Sequence, residues 1–144
     1  MTDAQSMRRP VYRTLRGFIT QAGAAAPTTT ILQNDFAELD GEDITFTRSG
    51  AGSYLINSPL GLFPANKTFV NVYQPFGASQ AGIGRTIAGF MALAYRISNT
   101  QIEIDTAYSQ LRKPSDAPPG NLDLENVYSD GLLNVSPFEV LVYE

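Results

Sequence analysis

The feature that most limits this chain is the period of its apolar residues, which is two rather than 3.6. Ile44 and Phe46 alternate with Thr45 and Thr47 over Asp43 to Arg48. Ser49-Gly50-Ala51-Gly52 interrupts, and Tyr54 and Ile56 return in phase over Ser53 to Asn57. Successive side chains of an extended strand point to opposite faces, so such alternation marks a strand with one buried face. A short Gly-rich turn between two such runs marks a hairpin.

The pattern recurs along the chain. Val11, Leu15 and Ile19 share one parity, with Tyr12 and Phe18 on the other. Thr28 to Gln33 is rich in β-branched residues, which suit strands. Thr68 to Tyr73 is a further run, ended by Pro75. Ile102 and Ile104 alternate with Glu103 and Asp105 over Gln101 to Thr106, which puts both acids on the wet or interface side. Phe138, Val140 and Val142 share a face in a last run to Glu144, and such a strand is expected in the middle of a sheet. Ile87 to Ser98 fits two patterns: its alanines suit a helix, whereas the Asn99-Thr100 turn into the next run favours a strand. We read it as a strand. About eight short strands with turn signals between them predict an all-β fold. An antiparallel β-sandwich is expected, Greek-key or jelly-roll-like. The 144 residues fit one domain, 11–144, preceded by a flexible arm, residues 1–10, that offers little to bury.

Composition matters most through what it lacks. The chain has no Cys, His or Trp. Disulfides, thiolate nucleophiles, Cys-ligated zinc and His-dependent catalytic triads are therefore excluded. Carboxylate chemistry, Lys chemistry, oxygen-ligated cations, or no chemistry remain. The net charge is −4, which argues against a nucleic-acid or membrane-surface partner. No apolar run approaches the roughly 18 residues of a membrane span. No signal-peptide pattern follows the N-terminus, so synthesis in a cytoplasm is expected.

Charge is unevenly placed. Arg8, Arg9, Arg13 and Arg16 face only Asp3 in the first sixteen residues. Residues 35–43 hold Asp35, Glu38, Asp40, Glu42 and Asp43 without a base, and from residue 114 onward there are acids and no base. Such blocks are either solvated loops or the two halves of a docking contact, a basic arm against an acidic surface.

No stretch carries a complete chemical motif. Gly77 to Thr86 resembles a phosphate loop only in part, with Ser79 where a Gly is needed and Arg85 where a Lys is needed, so it reads as a loop. The acids at 35–43 lack the spacing of a calcium loop. Glu103 and Asp105 share a face but lack the facing geometry of a glycosidase pair. Lys67 and Lys113 sit in no Ser-x-x-Lys pattern, and no cofactor is expected. Lys113 to Asn121 is a Pro-rich loop that cannot lie inside a sheet. Most aromatic residues are expected in the core, while Tyr108 and Tyr128, beside that loop, are expected at a partner contact.

Several short stretches together resemble a known group. They include Tyr12-Arg13 with Leu15, Phe18, Gln21 and Gly23, then Ala26-Pro27-Thr28 and Leu32-Gln33-Asn34-Asp35-Phe36. Phe46-Thr47-Arg48 with Gly52 and Tyr54, Phe63 with Asn66-Lys67-Thr68, and the closing Pro137 to Tyr143 complete the set. These are similar to small β-sandwich virion structural proteins of tailed bacteriophages: capsid decorations, head fibres and tail-associated components. The resemblance implies a non-enzymatic protein of the virion. Its expected partners are capsid proteins or neighbouring subunits in a homo-oligomer, contacted through Arg8, Arg9, Arg13 and Arg16. The alternative expectation is a tail-associated or free-standing module that binds a host surface glycan.

Overall fold

The computed structural model describes residues 11–37, 43–73, 87–112, 120 and 123–144. Among them the chain forms nine strands and no helix. In order they are β1 (Tyr12–Thr20), β2 (Thr28–Asn34), β3 (Thr45–Gly50), β4 (Ser53–Asn57), β5 (Thr68–Val72), β6 (Ile87–Arg96), β7 (Gln101–Arg112), β8 (Asp123–Tyr128) and β9 (Ser136–Tyr143). One sheet has the order β2-β1-β9-β5, the other β3-β4-β7-β6, with β8 also paired to β7. Every pairing is antiparallel. The expected β-sandwich is what the chain forms.

Period-two alternation assigns the faces. Leu15 and Ile19 of β1 and Phe138, Val140 and Val142 of β9 point inward from the first sheet. Tyr54 and Ile56 of β4 and Ile102 and Ile104 of β7 meet them from the second. Phe36, Phe63 and Leu133 close the core from the connections. Phe36 and Phe63 meet edge-on at 6.4 Å between ring centroids, as do Phe46 and Phe138 at 5.6 Å. Each such side chain contributes roughly 1.5–3 kcal/mol on burial, which is why the two inner faces fix the register. The terminal strand β9 lies between β1 and β5, the central place its apolar face demands. Ile87 to Arg96 is a strand, with Ala92 and Ala94 packed toward the core.

One irregularity shapes the first sheet. The pairing of β1 with β2 jumps from Arg16↔Gln33 to Gly17↔Ile31, leaving Leu32 unpaired and 65% exposed. A Cβ on Gly17 would stand 2.1 Å from the Thr30 carbonyl oxygen, so the bulge requires glycine there.

The second sheet exceeds the expectation in one respect. β7 does not end near Thr106 but runs on to Arg112, and β8 pairs with this extension. β4 and β8 therefore share one side of β7, the first along Gln101–Asp105 and the second along Ala107–Arg112. They abut at Thr106, whose amide donates to the Gly52 carbonyl (2.7 Å) and whose carbonyl accepts from Ser129 (3.1 Å). β8 hides its alternation because Leu124 and Tyr128 are exposed while Glu125 and Val127 are half-buried. The arm 1–10, the loop Gly77 to Thr86 and nearly all of Lys113 to Asn121 lie outside the described residues.

Candidate functional site

Among the described residues, two polar clusters and two exposed faces are able to do something other than fill the core. The first cluster sits where β4 and β8 abut. The Arg48 guanidinium on β3 donates to both carboxylate oxygens of Asp130, through Nη2 at 2.7 Å and Nε at 3.1 and 3.2 Å. Asp130 Oδ1 also accepts from the Gly52 amide (3.1 Å) and lies 2.8 Å from the Tyr54 hydroxyl. The same hydroxyl lies 2.9 Å from Gln21 Oε1, which accepts from the Gly131 amide at 2.6 Å. Gln21 Nε2 donates to the Gly23 and Ala25 carbonyls. The Arg48 guanidinium holds the Asp130 carboxyl down to about 2, against the pull of its partial burial. Burial, then the Asp130 carboxylate, pushes the Tyr54 phenol well above its usual range. Every group here is engaged by a protein partner, and the cluster draws on β3, β4, the turn between them, the β1–β2 connection of the first sheet and the β8–β9 connection that joins the sheets. Its chemistry is that of a tie between sheets.

The second cluster lies on the outer face of the second sheet. Register places three rows across it: Tyr95–Glu103–Leu55, Leu93–Asp105–Ser53 and Met91–Ala107–Tyr128. The Ser53 hydroxyl contacts Asp105 Oδ1 and lies 2.9 Å from Glu103 Oε1. The Tyr95 hydroxyl lies 2.8 Å from Asp105 Oδ2 and 3.1 Å from Glu103 Oε2. Asp105 first, then burial and Glu103, raise the Tyr95 phenol far above its usual range. Around these acids Leu93 is 54% exposed, Met91 43% and Tyr128 56%.

The first sheet carries an exposed aromatic row instead. Tyr12 on β1, Tyr143 on β9 and Phe69 on β5 stand side by side, with centroids 5.6 and 5.4 Å apart. Phe69 is 57% and Tyr12 48% exposed. Beside the row an open depression of about 360 Å³ is lined by Arg13, Phe36, Lys67, Tyr143 and Glu144 among others.

The expected contact residues separate. Tyr128 is on the outer face of the second sheet, exposed. Tyr108 is a correction: it is 8% exposed. Because β7 continues past Thr106, Tyr108 falls mid-strand between Phe90 and Val127, on the inward parity of Ile102 and Ile104. Arg13 and Arg16 belong to β1, not to an arm. Arg13 bridges Glu144 at 3.0 Å and Arg16 approaches Glu139 at 4.0 Å, both on the neighbouring strand β9. Arg8 and Arg9 lie outside the described residues. Asp35, expected among solvated acids, accepts from the Thr14 amide (2.9 Å) and from Gln33. The expectation that aromatics fill the core holds for Tyr54, Phe36, Phe63 and Phe138, but Tyr12, Phe69, Tyr73, Tyr95 and Tyr128 are exposed. The outer rows were missed because alternation distinguishes two faces without saying what covers the second.

Comparison with protein-family models, with curated proteins and with solved structures found no match.

Proposed function

We propose that this chain is a non-enzymatic structural protein of a bacteriophage particle, of capsid-decoration or head-fibre type. It joins capsid proteins or neighbouring subunits through its N-terminal arm and works as a homo-oligomer. The observation that carries the reading is that both sheets present large apolar side chains outward: Tyr12 and Phe69 on one, Met91, Leu93, Leu124 and Tyr128 on the other. Contiguous apolar faces of this kind mark interaction surfaces. Subunits of a particle cover such faces and their strand edges with one another.

The test is incorporation. Purified particles from a lysate expressing the full chain should contain it by mass spectrometry. A chain lacking residues 2–10 should be folded by circular dichroism and missing from the particles. Normal incorporation of the truncated chain overturns the role of the arm, and absence of the full chain from particles overturns the reading itself.

The aromatic row Tyr12–Tyr143–Phe69 favours a second reading, a tail-associated or free-standing module that stacks a host surface glycan. That reading requires saturable glycan binding by the purified chain, lost in Phe69→Ala.

A further inference from the structure

We propose that the outer face of the second sheet is the seat for residues 1–10 of a neighbouring copy, with Arg8 and Arg9 meeting Glu103 and Asp105. The proposal rests on the assembly reading above and supplies the surface that the arm grips.

The face is apolar, with charge at one place. Leu93, Met91 and Tyr128 are exposed around a floor made by Ala107, which is 1% exposed. Between them Glu103 and Asp105, two residues apart on β7, share the hydroxyls of Ser53 and Tyr95. Those hydroxyls bring two protons to four oxygen–oxygen contacts. Two contacts therefore have no hydrogen while both acids are ionised, and two negative charges stand side by side. Among the described residues no Lys or Arg pairs with either acid. A planar guanidinium supplies what is missing: positive charge, several donors in a fixed fork, and a face that stacks on an aromatic ring such as Tyr95.

The chain's own cations narrow the source. Arg13, Arg16 and Arg48 face Glu144, Glu139 and Asp130. Arg96 donates to the Phe63 carbonyl and to Asn99. Lys67 and Arg85 stand singly, and two adjacent basic pairs remain to meet two adjacent acids, Arg8-Arg9 and Arg112-Lys113. Both pairs have apolar neighbours, but the first has the longer flank, Met7 before it and Pro10-Val11-Tyr12 after it, against Leu111 and Pro114 around the second. Val11 is 63% exposed and Tyr12 48%, so both have apolar surface to bury. Along β7 the two acids are followed by Ala107, beside the exposed Met91 and Tyr128, as Arg8-Arg9 are followed by Pro10-Val11-Tyr12. A neighbouring copy is the donor because Tyr12 lies on the outside of the opposite sheet.

Light scattering on the purified full chain, without particles, tests this. The full chain should self-associate, more weakly at high salt. Chains carrying R8A/R9A or E103Q/D105N should associate at least about tenfold more weakly, as loss of charge-assisted contacts across an interface implies. R112A/K113A should associate normally. The swap R8E/R9E should associate with E103K/D105K when the two chains are mixed, although neither does alone. A monomeric full chain overturns the proposal. So does unchanged association of E103Q/D105N, or loss in R112A/K113A with R8A/R9A intact. A monomer that still enters particles sinks this proposal alone, whereas an oligomer missing from particles sinks the particle reading and leaves this contact standing.

Discussion

Asp130 and Arg48 close a two-pronged ion pair, 2.7 Å at its shortest, across 82 residues of chain. Asp130 lies in the connection from β8 to β9, and Arg48 on β3, in the other sheet from β9. The pair therefore helps fix where the chain crosses between sheets. The outer rows Tyr95–Glu103 and Leu93–Asp105 hang on the same hairpin through Ser53, so the tie also positions the face that carries the acids.

Acid should loosen this tie in a defined window. Asp130 titrates in the folded chain at about 2, below its ordinary value of 3.8. A carboxyl with a depressed folded value adds stability that is full above its ordinary value and is lost as pH falls through the folded one. Urea unfolding of the natural chain should therefore lose stability between about pH 4 and pH 2 that Asp130→Asn does not lose, by about 1–2 kcal/mol. Parallel pH profiles for the two chains would show that Asp130 is not held ionised by Arg48.

Tyr54 separates packing from hydrogen bonding. Its ring is fully buried, and its hydroxyl has Gln21 and Asp130 as acceptors. In Tyr54→Phe both acceptors keep other donors: the Gly131 amide for Gln21, Arg48 and the Gly52 amide for Asp130. The cost should be about 1 kcal/mol. Tyr54→Ala opens a cavity in the core and should cost about 3–5 kcal/mol. Chemical denaturation of both chains checks the ratio, and equal costs would mean the ring contributes little.

Gly52 should tolerate no side chain. Its φ is +69°, and a Cβ there would stand 2.5 Å from the Thr106 carbonyl oxygen and 2.6 Å from the Ser129 nitrogen. Backbone at the junction of β4 and β8 would have to move. Gly23 has a similar φ of +56° with nothing near it. Gly23→Ala should cost about 1 kcal/mol, the left-handed strain alone. Gly52→Ala should cost clearly more and shift the amide signals of Thr106 and Ser129. Equal melting temperatures for the two variants would contradict the close approach.

The fold was legible where apolar and polar residues alternate cleanly. Ile102 and Ile104 against Glu103 and Asp105, or Phe138, Val140 and Val142 in the last strand, leave one way to bury a face. β8 was not legible, because Leu124 and Tyr128 point outward and a strand with apolar residues on its wet side shows no contrast. Tyr108 was misplaced for a related reason: the length of β7 is set by pairing with β6 and β8, which local pattern does not contain. The acids of the candidate face were placed on the correct side. Their sharing of the Ser53 and Tyr95 hydroxyls depends on cross-strand register, which a hydrophobic pattern sets only once three strands have met.

Two phenylalanines on neighbouring strands should separate stability from assembly. Phe138 on β9 is 2% exposed and packs edge-on against Phe46, whereas Phe69 on β5 is 57% exposed beside Tyr143. Phe138→Ala should cost about 3–5 kcal/mol, through lost transfer energy and the cavity left behind. Phe69→Ala removes no core contact and should cost under about 1 kcal/mol, close to an ordinary surface change. If the aromatic row is covered in an assembly, Phe69→Ala should reduce incorporation into particles while its urea midpoint stays near that of the natural chain. Quantitative mass spectrometry of particles from mixed expression, natural chain against variant, reads this directly. A variant incorporated in proportion to its expression would mean that the outward face of the first sheet stays uncovered, leaving the face around Glu103 and Asp105 as the contact surface.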